Sequence, residues 1–130
     1  TPSPATPPSV HPFVPYPTLC ELSGIRTPKH CEGKSLQALL DDPDAGHRMS
    51  AYSSYPARKD IGHSIRFGNY RYTEWYPEAG GEMTAAVLTN LALDPGETTN
   101  VIENPKHADA LAKAKTLLSE RIEGALLIEK

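Results

Sequence analysis

Apolar and polar residues alternate strictly on both sides of Gly68-Asn69. Ile65 and Phe67 alternate with Ser64 and Arg66 before that pair; Tyr70 and Tyr72 alternate with Arg71 and Thr73 after it. A period of two marks β-strands, and Gly-Asn can take the positive φ of a two-residue hairpin turn. The spacing predicts a hairpin over Gly62–Trp75 in which Phe67 faces Tyr70, Arg66 faces Arg71, Ile65 faces Tyr72 and Ser64 faces Thr73. One face holds Ile65, Phe67, Tyr70 and Tyr72 and is a core face; His63 shares it, opposite Glu74. The other holds Ser64, Arg66, Arg71, Thr73 and Trp75.

Elsewhere the pattern changes. Pro17 suits a first helical turn, Leu19 and Leu22 share a face onto which Ile25 can fold, and Gly24 is placed as the left-handed residue that stops the helix. Ser35 can cap a second short helix running through Leu36, Leu39 and Leu40 to Asp41. Asp42-Pro43-Asp44-Ala45-Gly46 reads as a turn. Met49–Tyr55 reads as a strand ended by Pro56, and Met83–Leu93 as another with Val87, Leu88 and Leu91 as apolar contacts. After a tight turn at Asp94-Pro95-Gly96, Asn104-Pro105 starts a helix, with Asn as cap and Pro at the first position. Ala108, Leu111, Ala114, Leu118 and Ile122 then form an apolar stripe at helical spacing, and Gly124 stands where the helix ends or kinks. Antiparallel strands with one long C-terminal helix packed on a face make an α+β fold, with short helices towards the N-terminus. Residues 1–15, dominated by Pro, Thr and Ser, lack any hydrophobic period and are expected to be an extended or disordered leader. Residues 16–130 are the expected folded part.

Composition narrows the function classes. A chain of 130 residues can form one domain with a modest core. The net charge of −3 and the dispersed basic residues give no footprint for nucleic acid. No apolar run approaches the roughly 18 residues of a membrane-spanning helix. The N-terminus shows no positive segment followed by an apolar one, so a secreted parent would carry its signal further upstream. Cys20 and Cys31 leave two readings open: a disulfide closing a short loop, which implies an oxidising compartment, or two separate thiols, Cys20 half-buried on a helix and Cys31 in a loop. Neither has a histidine or second cysteine at metal-ligand spacing. Asp41, Asp42 and Asp44 are interrupted by Pro43 and lack an EF-hand's glycine and distal Glu, so they read as a solvated turn and no metal site is expected. His11, His30, His47 and His107 have no Ser, Cys or Asp at a spacing that suggests a catalytic triad.

The candidate chemistry lies on the hairpin's second face. Like charges directly opposite each other destabilise a sheet, so Arg66 and Arg71 call for a negative partner. That partner is either an acidic side chain or a bound anion, since the planar guanidinium binds carboxylate and sulfate with two parallel hydrogen bonds. A structural pairing, within this domain or across to a neighbouring one, is the favoured reading for Arg71, whereas Arg66 stays open between structure and a bound anion. Trp75 either stacks on a sugar or covers a domain interface.

Gly62-x-Ser64-Ile65-Arg66, a short turn, then Tyr70-Arg71-Tyr72-Thr73-Glu74-Trp75 resembles the C-terminal subdomain of formylglycine-dependent type I sulfatases, nearest the iduronate-2-sulfatase group. Four further segments agree in the same order. Tyr16-Pro17-Thr18-Leu19 with Leu22 to Gly24 is similar to the family's "YPTL…LAG" helix, and Glu32-Gly33-Lys34-Ser35-Leu36 through Leu39-Leu40 to its "EGKSL…LL" segment. Ala51-Tyr52-Ser53-Ser54-Tyr55-Pro56 with Arg58 resembles its "YSQYPR" strand, and Asp94-Pro95-Gly96-Glu97 to Asn100 its "DPxExxN" tail. Thr89-Asn90 departs from the usual "LYDL", and the stretch before Tyr16 from the family's lead-in. A linker, a divergent N-terminus and an altered reading frame would each give that second departure.

The resemblance implies a four-stranded antiparallel sheet covered by a helix. It also implies a parent that hydrolyses sulfate esters of sulfated saccharides such as glycosaminoglycans, in a periplasmic, secreted or lysosomal setting. Such enzymes use formylglycine and a divalent cation, calcium, held by a catalytic domain that these 130 residues do not contain. Ser54-Tyr55-Pro56-Ala57-Arg58 fits the Ser-x-Pro-x-Arg core of the formylglycine motif, but its flanks match the late strand, and His63-Ser64 stand where the motif has Thr-Gly. No catalytic residue is expected here, and the chain alone is expected to be inactive. Arg66, Arg71 and Trp75 are the candidate substrate contacts, and the catalytic domain and a sulfated saccharide the expected partners. A stand-alone module for acidic glycans and a non-functional truncated product are the alternatives.

Overall fold

The computed structural model describes residues 15–31, 33–42, 44 and 50–126; of the leader expected over residues 1–15, residues 1–14 lie outside the described residues, and Pro15 is the first residue of a helix. Two compact units divide the described chain, one built on residues 50–126 and one on residues within 15–44.

The larger unit is a meander of four antiparallel strands in the order β1-β2-β3-β4: β1 Ser50–Ala57, β2 Asp60–Phe67, β3 Tyr70–Pro77 and β4 Ala85–Asn90. The central hairpin has the register that alternation predicted, with Phe67 opposite Tyr70, Arg66 opposite Arg71, Ile65 opposite Tyr72 and Ser64 opposite Thr73. Gly68 takes a φ of +50° at the first loop position. A second hairpin joins β1 to β2 through Arg58 and Lys59, with Ala57 opposite Asp60. Pro56 therefore does not end β1. Because β1 is an edge strand, the donor that proline lacks can be spared and pairing continues to Ala57. β4 is shorter than expected: Met83 and Thr84 precede it, and Leu91–Leu93 form a turn that leaves Leu93 exposed.

A 3-10 turn, Pro105–His107, leads into the long helix, labelled here α3, Ala108–Leu126. Asn104 caps it as predicted, its side chain accepting from the Lys106 N–H at 3.0 Å. Helical bounds continue past Gly124. Leu111, Ala114, Leu118 and Ile122 face the sheet and close a core with Ile65, Phe67, Tyr72 and Leu88, whereas Ala108 stays exposed. The helix lies across the strands. At its start His107 Nδ1 meets the Tyr70 hydroxyl at 2.9 Å, and near its end Arg121 Nη2 approaches the Ser50 hydroxyl at 3.5 Å. The free edge of β4 is partly closed by the following loop. Val101 donates to the Leu88 carbonyl at 2.8 Å, and the Asn100 side chain accepts from Leu88 N at 3.0 Å and donates to Ala86 O at 3.2 Å.

The smaller unit holds α1, Pro15–Leu22, and α2, Gln37–Asp41. The end of α1 is a Schellman motif: Gly24 has φ +68°, its N–H bonds to Glu21 O, and Ile25 N bonds to Cys20 O. Helix α2 begins two residues after Ser35, whose hydroxyl accepts from Gln37 N at 3.1 Å. Leu36 N donates to the Thr18 hydroxyl at 2.9 Å and ties the two helices together. Cys20 is buried and Cys31 half-buried, and both are free thiols with no disulfide between them. Among the described residues no helix is long and apolar enough to cross a membrane.

Candidate functional site

Alternation puts every second residue of the sheet on the face away from α3. There the four strands line up in rows: Ala51, Arg66, Arg71 and Thr89; then Ser53, Ser64, Thr73 and Val87; then Tyr55, Gly62, Trp75 and Ala85. Arg66 and Arg71 are side by side as predicted, and their fates differ. Arg71 Nη1 donates to Glu97 Oε2 at 2.6 Å, and Glu97 Oε1 accepts from the Thr89 hydroxyl at 3.1 Å. Glu97 adopts a φ of +53°, uncommon for a residue with a side chain. Arg66 is exposed, and its side chain makes no hydrogen bond or ion pair among the described residues. In the next row the Thr73 hydroxyl donates to Ser64 at 3.0 Å, both residues being buried.

Trp75 stands apart from the arginines, two rows along the strands. Its ring lies over Gly62: a Cβ there would come within 2.8 Å of Trp75 Cζ3. The Tyr55 ring meets it edge-on, centroids 5.3 Å apart. Glycine at position 62 is thus required by the indole, and the tryptophan has one face occupied by backbone.

The helix-side face carries a second polar cluster beside the apolar core. Glu74 accepts from Tyr72 OH at 2.8 Å through Oε1 and from Tyr76 OH at 2.7 Å through Oε2. Both phenols are held protonated: burial is the larger cause for Tyr72, raising its pKa, and the Glu74 hydrogen bond is the larger cause for Tyr76, pushed up to about 12. His63 is opposite Glu74 in register, as expected, but its Nδ1 bonds the Tyr52 hydroxyl at 2.8 Å instead. Burial lowers the His63 pKa, with the Glu74 charge opposing. Burial likewise raises that of Tyr52. Neutral imidazole and phenol bonded to each other suit a packing role.

Sequence reasoning missed the Tyr52–His63 and Arg71–Glu97 pairs. The first depends on the Arg58-Lys59 hairpin turn, which has neither Gly nor Asn to announce it, although Arg58 has φ +61°. The second joins residues far apart in sequence through an irregular loop. Ser54-Tyr55-Pro56-Ala57-Arg58, the apparent nucleophile motif, runs along edge strand β1 into that turn. Among the described residues no three His, Cys, Asp or Glu side chains are grouped to hold a metal ion. Asp42 Oδ1 instead accepts from Asp44 N at 3.1 Å, closing the turn. The described residues thus offer no such group for the cation that the family resemblance implies.

Comparison with known proteins agrees with this architecture. The family described as N-sulphoglucosamine sulphohydrolase, C-terminal, matches residues 12–124. A Δ4,5-hexuronate-2-O-sulfatase of Bacteroides thetaiotaomicron is 33% identical over 111 residues, 82% of this chain and 22% of that protein. An arylsulfatase of Clostridium perfringens is 25% identical over 108 residues, 83% of this chain and 21% of that protein. The chain thus spans less than a quarter of these relatives' length. Among solved structures, a protein in complex with its substrate D-glucosamine-2-N,6-O-disulfate shares the fold with a TM-score of 0.70 at 21% identity, over 82% of this chain and 22% of that one. The phosphonate monoester hydrolase of Agrobacterium radiobacter superposes with a TM-score of 0.62 at 27% identity, over 82% of this chain and 24% of that one. Four antiparallel strands under a long helix, with a match running from residue 12 to residue 124, make this chain a member of the sulphohydrolase C-terminal family, the C-terminal domain of sulfatases.

Proposed function

We propose that these residues are the C-terminal part of a sulfatase acting on sulfated saccharides, and that they supply a supporting sheet and one anion contact, Arg66. The family match over residues 12–124 carries the reading. The hexuronate sulfatase relative supports a saccharide substrate for the whole protein. Formylglycine and the divalent cation belong to catalytic sequence outside these residues, which would be the partner of this domain. On this reading the 130-residue chain by itself does not hydrolyse sulfate esters. Incubating the purified chain with an aryl sulfate and calcium tests that: no turnover is expected, and metal-dependent turnover overturns it.

Within the sheet, Arg71 is occupied by Glu97 and acts as a strut between β3 and the loop after β4. Arg66, exposed and unpaired among the described residues, is the arginine able to grip a sulfate or carboxylate. Trp75 offers a sugar its outer side, since Gly62 lies against the other. The same exposure of Arg66 favours, as a second reading, a module that holds acidic glycans without chemistry. Retention of the isolated chain on a sulfated-saccharide column, lost in Arg66→Ala but kept in Glu78→Ala, would select it.

A further inference from the structure

Helix α1 is packed inside out. At 100° per residue, Tyr16, Leu19 and Leu22 fall on one stripe about 120° wide. That stripe faces solvent, with Tyr16 57%, Leu19 61% and Leu22 55% exposed. Pro17, Thr18 and Cys20, off that stripe, are buried, and Glu21 among them is exposed. Ile25, past the Schellman turn, and Leu40 on α2 are also mostly exposed. A helix normally turns its leucines inward and its threonine outward. Scattered exposed apolar residues need no explanation, but five large ones within so short a stretch mark a surface built to be covered.

Helix propensity does not require this arrangement. Of the eight residues in α1, two are prolines and one is threonine, so the isolated helix is weak and gains its stability from packing. Yet its buried side offers only small or polar groups, one of which, the Thr18 hydroxyl, is engaged by Leu36 N. The sheet unit has a core of its own, formed by Ile65, Phe67, Tyr72, Leu88, Ala114 and Leu118.

Resting on the sulfatase reading above, we infer that α1 belongs to the layer of the larger, catalytic part of the enzyme, and that its stripe of Tyr16, Leu19 and Leu22 is the surface on which that part packs. More than three quarters of each of the two sulfatase relatives lies outside the span this chain matches, which supplies the occupant. The partner is polypeptide with a complementary apolar face, because the stripe itself carries no charged side chain. The sheet domain and the helical unit then belong to different domains of the whole enzyme, although one family match runs through both.

The test places the pair Leu19→Lys and Leu22→Lys in this chain and at the positions of the full-length Bacteroides sulfatase that the family match aligns with them. Glu21→Lys, exposed but off the stripe, is the control in both. In this chain the pair should leave the urea midpoint within about 0.3 M of the parent and weaken binding of a hydrophobic dye. In the full-length relative the pair should lower Tm by at least about 5 °C, and the control should not. Loss of the transition in this chain would mean that the stripe is internal core and overturn the inference. A full-length relative that tolerates the pair would overturn it too. If, in addition, this chain sediments as a dimer that the pair disperses, the occupant is a second copy. A tolerated pair with unchanged aryl-sulfate turnover in the relative refutes the interface and leaves the sulfatase reading standing; that reading fails separately, through turnover by the isolated chain.

Discussion

Gly62→Ala should destabilise the domain, although alanine is ordinarily the better strand residue. Replacing glycine within a strand usually gains about 0.5–1 kcal/mol by restricting the unfolded chain. Here the new Cβ would meet Trp75 Cζ3 at 2.8 Å, Cη2 at 3.0 Å and Cε3 at 3.1 Å. Carbon atoms at rest sit about 3.5–4.0 Å apart, so the indole must lift by roughly 0.7 Å. It cannot lift freely, because Tyr55 meets it edge-on at 5.3 Å and that pair is worth about 0.5–1.5 kcal/mol. Overpacking of this kind costs about 1–3 kcal/mol, which outweighs the propensity gain at its midpoint and leaves a net loss of up to about 2.5 kcal/mol. Far-UV circular dichroism during urea titration reads it as a midpoint lowered by about 1 M. Emission from Trp75, the only tryptophan, reports the ring's movement directly. With Trp75→Ala as background the clash is gone and Gly62→Ala should become neutral or stabilising. An unchanged or raised midpoint in the single variant, or the same loss in both backgrounds, would refute the idea that Trp75 is pinned against the sheet.

Glu74→Ala should cost about 2–3 kcal/mol, since the buried Tyr72 hydroxyl loses its acceptor, and Tyr72→Phe made in that background should recover part of the loss; an additive pair of penalties would contradict this. His63 has a folded pKa below its unfolded value of about 6.5, so its contribution is complete above that pH and is lost as pH falls beneath it. His63→Gln should therefore shrink the fall in urea midpoint between about pH 7 and about pH 5, and an unaltered fall would count against a buried neutral imidazole. Arg66→Thr should raise stability by up to about 0.5 kcal/mol by removing the charge opposite Arg71; a clear loss would mean that Arg66 has a structural partner. Leu118→Ala, at the centre of the helix–sheet core, should cost about 2–5 kcal/mol by thermal or urea unfolding.

The hairpin's register, the capped C-terminal helix and the α1 terminator were legible because each depends on residues close in sequence. Period-two alternation about Gly68-Asn69 admits one pairing that keeps Ile65, Phe67 and Tyr72 together, and that pairing is found. Gly24 stops α1 because its left-handed conformation is cheap without a Cβ. The β1–β2 hairpin was hidden because Arg58 takes that same left-handed region at a cost, with no composition signal, while Pro56 suggested a strand end. Pro56 blocks a central strand, but strand order, which sequence alone did not reveal, makes β1 an edge. The partners of Arg71 and His63 are side-chain pairings set by that same tertiary placement. The apolar face of α1 was visible in the sequence, but not its direction, since periodicity defines a stripe and says nothing of what faces it.

Arg66 and Arg71 began as equals, opposed across two strands. Glu97 breaks the symmetry. It holds a left-handed backbone that costs on the order of 1 kcal/mol, and its two oxygens divide between Arg71 and Thr89. One carboxylate placed this way neutralises one guanidinium and fastens the loop to β3 and β4. Arg66 gains nothing comparable. A threonine or glutamate in its place would pair better with Arg71, so sheet stability argues against an arginine there. It sits on the face that α3 leaves uncovered, two rows from an indole whose outer side is free of the Gly62 backbone. On the function proposed above, an exposed arginine that costs the sheet stability beside Arg71 is accounted for as a contact for an anionic ligand of the whole enzyme.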